Sequence, residues 1–361
     1  MSSIQVGAPA DAGRRRAVVL TVVALLVAAI GLAWAKWLPY TDRAAGFAAG
    51  GSWKGSSLLT AGAGENPFAR AWTFTWAYTN AVWKALAVAL VVSACVDVLV
   101  PRRWLLRVLG GRGTWGGSLA GGLVALPGMM CTCCSAPLAV TMRRAGVPVP
   151  AALACWLGNP VLNPAVLVFL GLLAPGSWVV VRIVLGAALV FGFSALVGRL
   201  LRGRGRTTTE EALPAANRAL AEAGDQPLAW REVPGRLLRS FARLAVVLVP
   251  EYLLVVFLVG LVGEPLGRVL GQGGLLAIVI AAVVGTVLVL PTAGEIPILL
   301  GLAAAGASAG VLGALLLVLP AVSLPSAVMV GRALGWRVTA ATAGATVLAG
   351  LLAGGLLTAL G

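Results

Sequence analysis

The chain has 361 residues, of which 60% are apolar and only 11% charged, with a mean hydropathy of +0.97. A soluble protein of this length must cover a large surface with charge, so this composition excludes a soluble globule. The net charge of +15 sits on arginines clustered between apolar runs, with no basic face interleaved with stacking aromatics, which excludes a nucleic-acid partner and fits positive-inside bias.

Taken in chain order, residues 1–16 form a cytoplasmic tail carrying Arg14, Arg15 and Arg16. The apolar run 17–38 is too long for a signal-peptide core and reads as an uncleaved first transmembrane helix. Residues 39–71, with Pro39 and Pro67 as breakers, read as an external loop. A first membrane repeat covers 72–198, starting with a span that ends at Pro101-Arg102-Arg103 and continuing in apolar segments at 114–130, 131–145, 151–174 and 178–198. Residues 199–243 hold nine arginines, five acids and Pro214, Pro227 and Pro234, the composition of a solvated cytoplasmic linker. A second membrane repeat covers 244–361, with segments at 244–263, 274–290, 296–307, 310–331 and 338–360.

The repeat is visible at a fixed shift of 160 positions, which takes Thr132 to Thr292, Pro137 to Pro297, Gly146 to Gly306, Pro160 to Pro320 and Gly171 to Gly331 without a gap. With the arginine clusters, Arg143 and Arg144, and Arg332 and Arg337 all placed in the cytoplasm, each half has five segments and the second copy is inverted. Inverted repeats are the usual construction of secondary transporters. The expected fold is an all-α polytopic membrane protein: one extra N-terminal transmembrane helix plus two inverted-topology repeats with broken or re-entrant helices. Whether 131–145 and 296–307 span or re-enter stays open, because both are short and carry a proline.

Three groups of residues are candidates for chemistry. Pro127-Gly-Met-Met-Cys-Thr-Cys-Cys-Ser-Ala-Pro137 places Cys131, Cys133 and Cys134 on a helix interrupted by two prolines. Broken backbone at membrane depth is tolerated only against protein or a water-filled cavity. Soft sulfur ligands select soft ions and metalloids. The plainer alternative is that small residues let helices pack closely. Cys95 and Cys155 stand alone in apolar runs, where a cysteine is usually a small hydrophobe. In the second group, Asn159-Pro160-Val-Leu-Asn163-Pro164 maps onto the stretch ending Pro320-Ala-Val-Ser323-Leu-Pro325, so Asn159, Asn163 and Ser323 line a second pair of breaks or act as interhelical glue. In the third, Glu295 aligns with Ser135 in the cysteine segment and is the preferred ion-coupling carboxylate, with Glu251 a further candidate. Asp97 is expected to pair with Arg102 and Arg103, and Lys84 to neutralise one of the acids. No Walker spacing, no histidine and no Gly-x-Ser-x-Gly elbow is present, so no cofactor and no enzyme activity is expected.

Cys131, Cys133 and Pro137, the run from Leu138 through Arg143-Arg144-Ala145-Gly146, Ala151 to Ala154, and Asn159 to Pro164 resemble the predicted-permease family that includes the organoarsenical efflux permeases. Glu295-Ile-Pro297, Gly306 and the segment from Leu319 to Ser326 carry the likeness into the second half. The resemblance implies a bacterial inner-membrane permease whose thiol-binding solutes include trivalent arsenicals, with Cys131 and Cys133 as the motif cysteines. Cys134 departs from the Ser or Gly of many relatives, which leaves the number of sulfur ligands open. The partners expected are the lipid bilayer and a small solute, with homo-oligomerisation open. The competing expectations are a transporter of a sulfur-containing anion, attracted by Arg143 and Arg144, and a membrane thiol oxidoreductase, for which Cys-x-Cys is unusual spacing.

Overall fold

The computed structural model describes residues 9–48, 66–100, 102–110, 113–203, 231–270, 274–290, 292–304 and 306–360, and all regular structure among them is helical. Helix α1 (Pro9–Leu32) runs through a π-helical turn (Ala33–Trp37) into α2 (Leu38–Ala48). The first helix therefore continues past position 38. Pro39 does not break it, because it lies in the first turn of α2, where a proline removes few helical hydrogen bonds. Helix α3 (Pro67–Leu99) begins before position 72. Asn66 accepts from Ala69 N at 2.8 Å as its N-cap, and Pro67 occupies the first turn, a favoured place for proline.

The first half continues with α4 (Arg102–Leu109), α5 (Gly113–Ala125), a 3₁₀ turn (Leu126–Gly128), α6 (Thr132–Arg144), α7 (Val149–Val161), α8 (Pro164–Leu173), α9 (Gly176–Ala187), a π-helical stretch (Ala188–Phe193) and α10 (Ser194–Gly203). Most of the arginine linker lies outside the described residues. The second half has α11 (Val233–Leu270), α12 (Leu275–Val287), α13 (Glu295–Ala304), α14 (Ala309–Ala321), α15 (Leu324–Leu334) and α16 (Trp336–Leu360). Helix α11 begins inside the stretch expected to be linker.

Among the described residues six helical stretches are long and apolar enough to cross a membrane: Val18–Gly46, Pro67–Leu99, Val149–Leu173, Gly176–Leu201, Val233–Leu258 and Trp336–Leu360. The pair α14 and α15, bent by 50°, makes a seventh if it counts as one span. Helices α6 and α13 have 13 and 10 residues, so at about 1.5 Å per residue neither crosses a ~30 Å core.

Large apolar side chains such as Leu275, Val246, Trp72 and Leu254 are exposed along the helices, the surface a lipid-facing protein presents. Inside, α3 packs on α11 and α6, α6 on α7 and α15, and α14 on α16. Small residues set these distances. A Cβ at Gly121 would strike the backbone of Ala151, and one at Gly313 would lie 2.5 Å from Ala353 O. Val166 and Phe169 of α8 pack with Ala293 and Ile296 at the start of α13. The two short helices thus each rest on the other half.

Candidate functional site: a cleft where two helix breaks meet

Two breaks precede the short helices, and each turns on a non-glycine residue in the left-handed region: Met129 (φ 46°) before α6 and Ala293 (φ 65°) before α13. Left-handed backbone is strained for residues with a Cβ, and such strain persists only where the surroundings over-determine it. At the first break, Cys131 is the N-cap residue of α6, and its carbonyl accepts from Cys134 N at 3.1 Å and Ser135 N at 3.0 Å. Cys131 and Cys134 are one turn apart, so their thiols meet, with Sγ–Sγ 3.1 Å. Cys133 Sγ lies 3.3 Å from Ser323 Oγ. All five cysteines are free and buried.

At the second break, Glu295 opens α13 and its Oε1 accepts from Arg182 Nη2 at 3.0 Å, with both residues buried. Arg182 comes from α9 and also donates to Pro160 O and Val161 O, each at 3.1 Å. Those carbonyls end α7, where Pro164 cannot continue the hydrogen-bond ladder, and the guanidinium satisfies them. Thr292 Oγ1 accepts from Lys36 Nζ at 2.9 Å, and Thr292 O accepts from Tyr40 OH at 3.3 Å. Trp37, beside Lys36, donates to Pro127 O at 2.8 Å. The first helix thereby ties itself to both breaks.

Between the breaks lies a narrow cleft with a cavity volume of about 10 Å³, lined by Met130, Cys131, Thr132, Thr292 and Glu295 together with Pro160 and Pro320. Val166, Leu290 and Leu319 complete its wall. It is the place where thiol, hydroxyl and carboxylate groups from distant parts of the chain converge.

The sequence profile of a predicted permease family matches residues 67–359. The chain belongs to that family. The permease is 37% identical over 336 residues to the UPF0718 protein YraQ of Escherichia coli (strain K12), covering 92% of each chain. No solved structure matches it. Membership groups the chain with transporters rather than enzymes, and its apolar helices make it a multi-pass membrane protein.

The other expected site residues fall beside the cleft and not in its wall. Asn163 caps α8, its Oδ1 accepting from Ala165 N at 3.1 Å and Val166 N at 3.4 Å. Asn159 Nδ2 donates to Cys155 O at 3.0 Å, while its buried Oδ1 has no partner among the described residues. Ser323 caps α15 and shares hydrogen bonds with Thr132 Oγ1 at 2.9 Å and Cys133 Sγ. Asn163 and Ser323 thus sit at the starts of the helices that follow the breaks. Cys131 Sγ is close to Cys134 Sγ and Cys133 Sγ is close to Ser323 Oγ, and no group of three His, Cys, Asp or Glu side chains arranged to hold a metal ion occurs among the described residues.

Asp97 accepts from Ser240 Oγ at 2.6 Å, and the side chains of Arg102 and Arg103 lie outside the described residues. Glu251 is on α11, and its side chain too lies outside them. Lys84 neutralises no acid in the cleft: it is exposed, its ammonium 5.3 Å from the ring centroid of Trp34. Arg143 and Arg144 occupy the last turn of α6, the opposite end from Cys131. The sequence reading missed Lys36 and Arg182. Arg182 is a lone charge within an apolar segment, a signal available from the sequence. Lys36 stands near the end of its run, where a lysine normally reaches back to the membrane surface.

Proposed function

We propose that the permease exports a small thiophilic solute, of the class of trivalent organoarsenicals or soft metalloids, through the cleft between the two breaks. The observation that carries this reading is the Cys131 thiol in the wall of a cleft built from both halves of the chain, with the Cys134 thiol 3.1 Å from it. A monosubstituted trivalent arsenic bearing two hydroxyls is held by two thiols: two As–S bonds form as two As–O bonds break, and the thiol protons leave with the hydroxyls as two waters. No oxidant or reductant is needed. Cys133, hydrogen-bonded to Ser323, links the same helix turn to α15.

In this reading the halves are inverted repeats that rock about the cleft, with the arginine clusters and the N-terminus in the cytoplasm of a bacterial inner membrane. The bounds of α7, Val149–Val161, shifted by 160 positions are those of α14, Ala309–Ala321, which supports a repeat. So do the positive-φ glycines Gly146 and Gly306, at the ends of equivalent helices. Glu295 carries the coupling proton: protonation removes its charge and with it the ion pair to Arg182, freeing α13 from the end of α7. Glu251 remains a second candidate for that role. Outward direction is what the family resemblance implies.

The test is efflux of phenylarsine oxide from cells expressing the wild type, a Cys131→Ser/Cys134→Ser variant and a Cys133→Ser variant. Efflux lost in the double variant and retained in the Cys133 variant is expected. Unchanged efflux in the double variant would remove the thiol role.

A further inference from the structure

Charge at the cleft does not balance. Glu295, its one carboxylate, is already matched by Arg182. Lys36 sits beside the cleft, 7% exposed, and its ammonium donates only to neutral hydroxyls: Thr292 at 2.9 Å and Tyr40 at 3.5 Å. Among the described residues no carboxylate lies within ion-pair distance of it. A cation at membrane depth without a counter-charge is expensive and by default belongs to a solute or ion pathway.

Two further features have the same sign. Helices α6 and α13 both point their N-termini at the cleft, through Cys131 and Thr132 on one and Thr292 and Glu295 on the other. Each N-terminus carries roughly half a positive charge. The carbonyls at the end of α7, which would oppose this, are occupied by Arg182. The groups near Lys36 that could oppose its charge are the thiols of Cys131 and Cys134, which carry none while protonated. The cation comes from a helix outside the family-matched residues 67–359 and sits in a π-helical turn, an irregularity frequent at functional sites.

We propose that Lys36 is the anion-binding and specificity-determining residue of the cleft, so that the permease prefers thiol-reactive solutes that also carry a negative charge. The thiophilic centre meets Cys131 while the anionic group meets the Lys36 ammonium and the Thr292 hydroxyl. This deepens the function proposed above and rests on the cleft being the solute path.

The test compares two reagents with the same reactive group and opposite charge, the anionic sulfonatoethyl and the cationic trimethylammonium-ethyl methanethiosulfonates, on the full-length protein in lipid nanodiscs. In both, the Cys131 thiolate attacks the sulfenyl sulfur, a disulfide forms, the S–SO₂ bond breaks and methanesulfinate leaves with the electron pair. Peptide mass spectrometry reads the rate at Cys131. The anionic-to-cationic rate ratio should fall at least about tenfold in Lys36→Met and Lys36→Gln and be kept in Lys36→Arg. A ratio unchanged in Lys36→Met and Lys36→Gln would overturn the proposal, as would failure of both reagents to reach Cys131 in every variant. Loss of the arsenical reading alone shows differently: phenylarsine oxide efflux fails while the charge-dependent ratio persists.

Discussion

Arg182 and Glu295, 113 positions apart in sequence, form a buried ion pair at 3.0 Å that joins α9 to α13 and, through Pro160 O and Val161 O, to the broken end of α7. A single guanidinium thus serves a helix break and a carboxylate at once. Its loss leaves an unpaired buried charge and two orphaned carbonyls.

For this reason Arg182→Met should destabilise the protein by about 3–5 kcal/mol, the usual consequence of removing one partner from a buried pair. Glu295→Gln keeps a hydrogen-bond acceptor and should be milder, while Arg182→Met/Glu295→Met should recover part of the loss. Thermal unfolding in nanodiscs, read as a double-mutant cycle, measures the coupling. Additive losses would show that the pair is not an energetic unit.

Dithiol capture has a direct mass signature. Phenylarsine oxide should add once to the wild type and to Cys133→Ser, bridging Cys131 and Cys134, and the adduct should be lost in Cys134→Ser. Intact-mass spectrometry checks this, and an adduct that survives Cys134→Ser would refute the pairing. The motivating geometry is the 3.1 Å separation of the two sulfurs, against the contact of Cys133 with Ser323.

Gly128 lies against Asn159, where a Cβ would strike Oδ1 of the amide. Gly128→Ala should therefore destabilise by roughly 1–3 kcal/mol, the range for forced overpacking. Adding Asn159→Ala removes the obstructing oxygen and should restore part of the stability. Chemical denaturation of the two single variants and the double variant decides it.

Ala293 holds a left-handed conformation (φ 65°) that costs an L-residue about 1–2 kcal/mol. Ala293→Gly removes this strain, less the extra chain entropy of glycine, for a net gain of about 0.5–1 kcal/mol. A β-branched residue does the opposite, and Ala293→Val should unfold at lower temperature. Melting temperatures of the three proteins form the check.

Asn163 acts as a helix cap, its Oδ1 receiving two backbone N–H groups of α8. Asn163→Ala should cost about 0.5–2 kcal/mol of stability, and Asn163→Ser should retain most of it. Arsenical efflux per folded molecule should be the same in both. A specific loss of efflux in the well-folded Asn163→Ser protein would make the amide a solute ligand instead.

The sequence by itself determined that the chain lives in a membrane, because runs of apolar residues need no partner to declare where they are stable. It also pointed to interruptions near Pro127, Pro160 and Pro320, the last two within the final turns of α7 and α14, and it marked Cys131 and Glu295 as unusual at that depth. Only the tertiary structure decided which groups meet. Cys134 Sγ comes to 3.1 Å from Cys131 Sγ, because one helical turn puts positions three apart on the same side. Asn163 caps the start of α8 and Ser326 accepts from the freed Ser323 N–H at the start of α15, because a freed backbone group is most easily satisfied by the nearest side chain that can reach it. Arg182 could have been noticed as a lone charge in an apolar run, but the partners of Arg182 and Lys36 were out of reach of local reasoning, since hydropathy says nothing of which distant oxygen a lone cation will find.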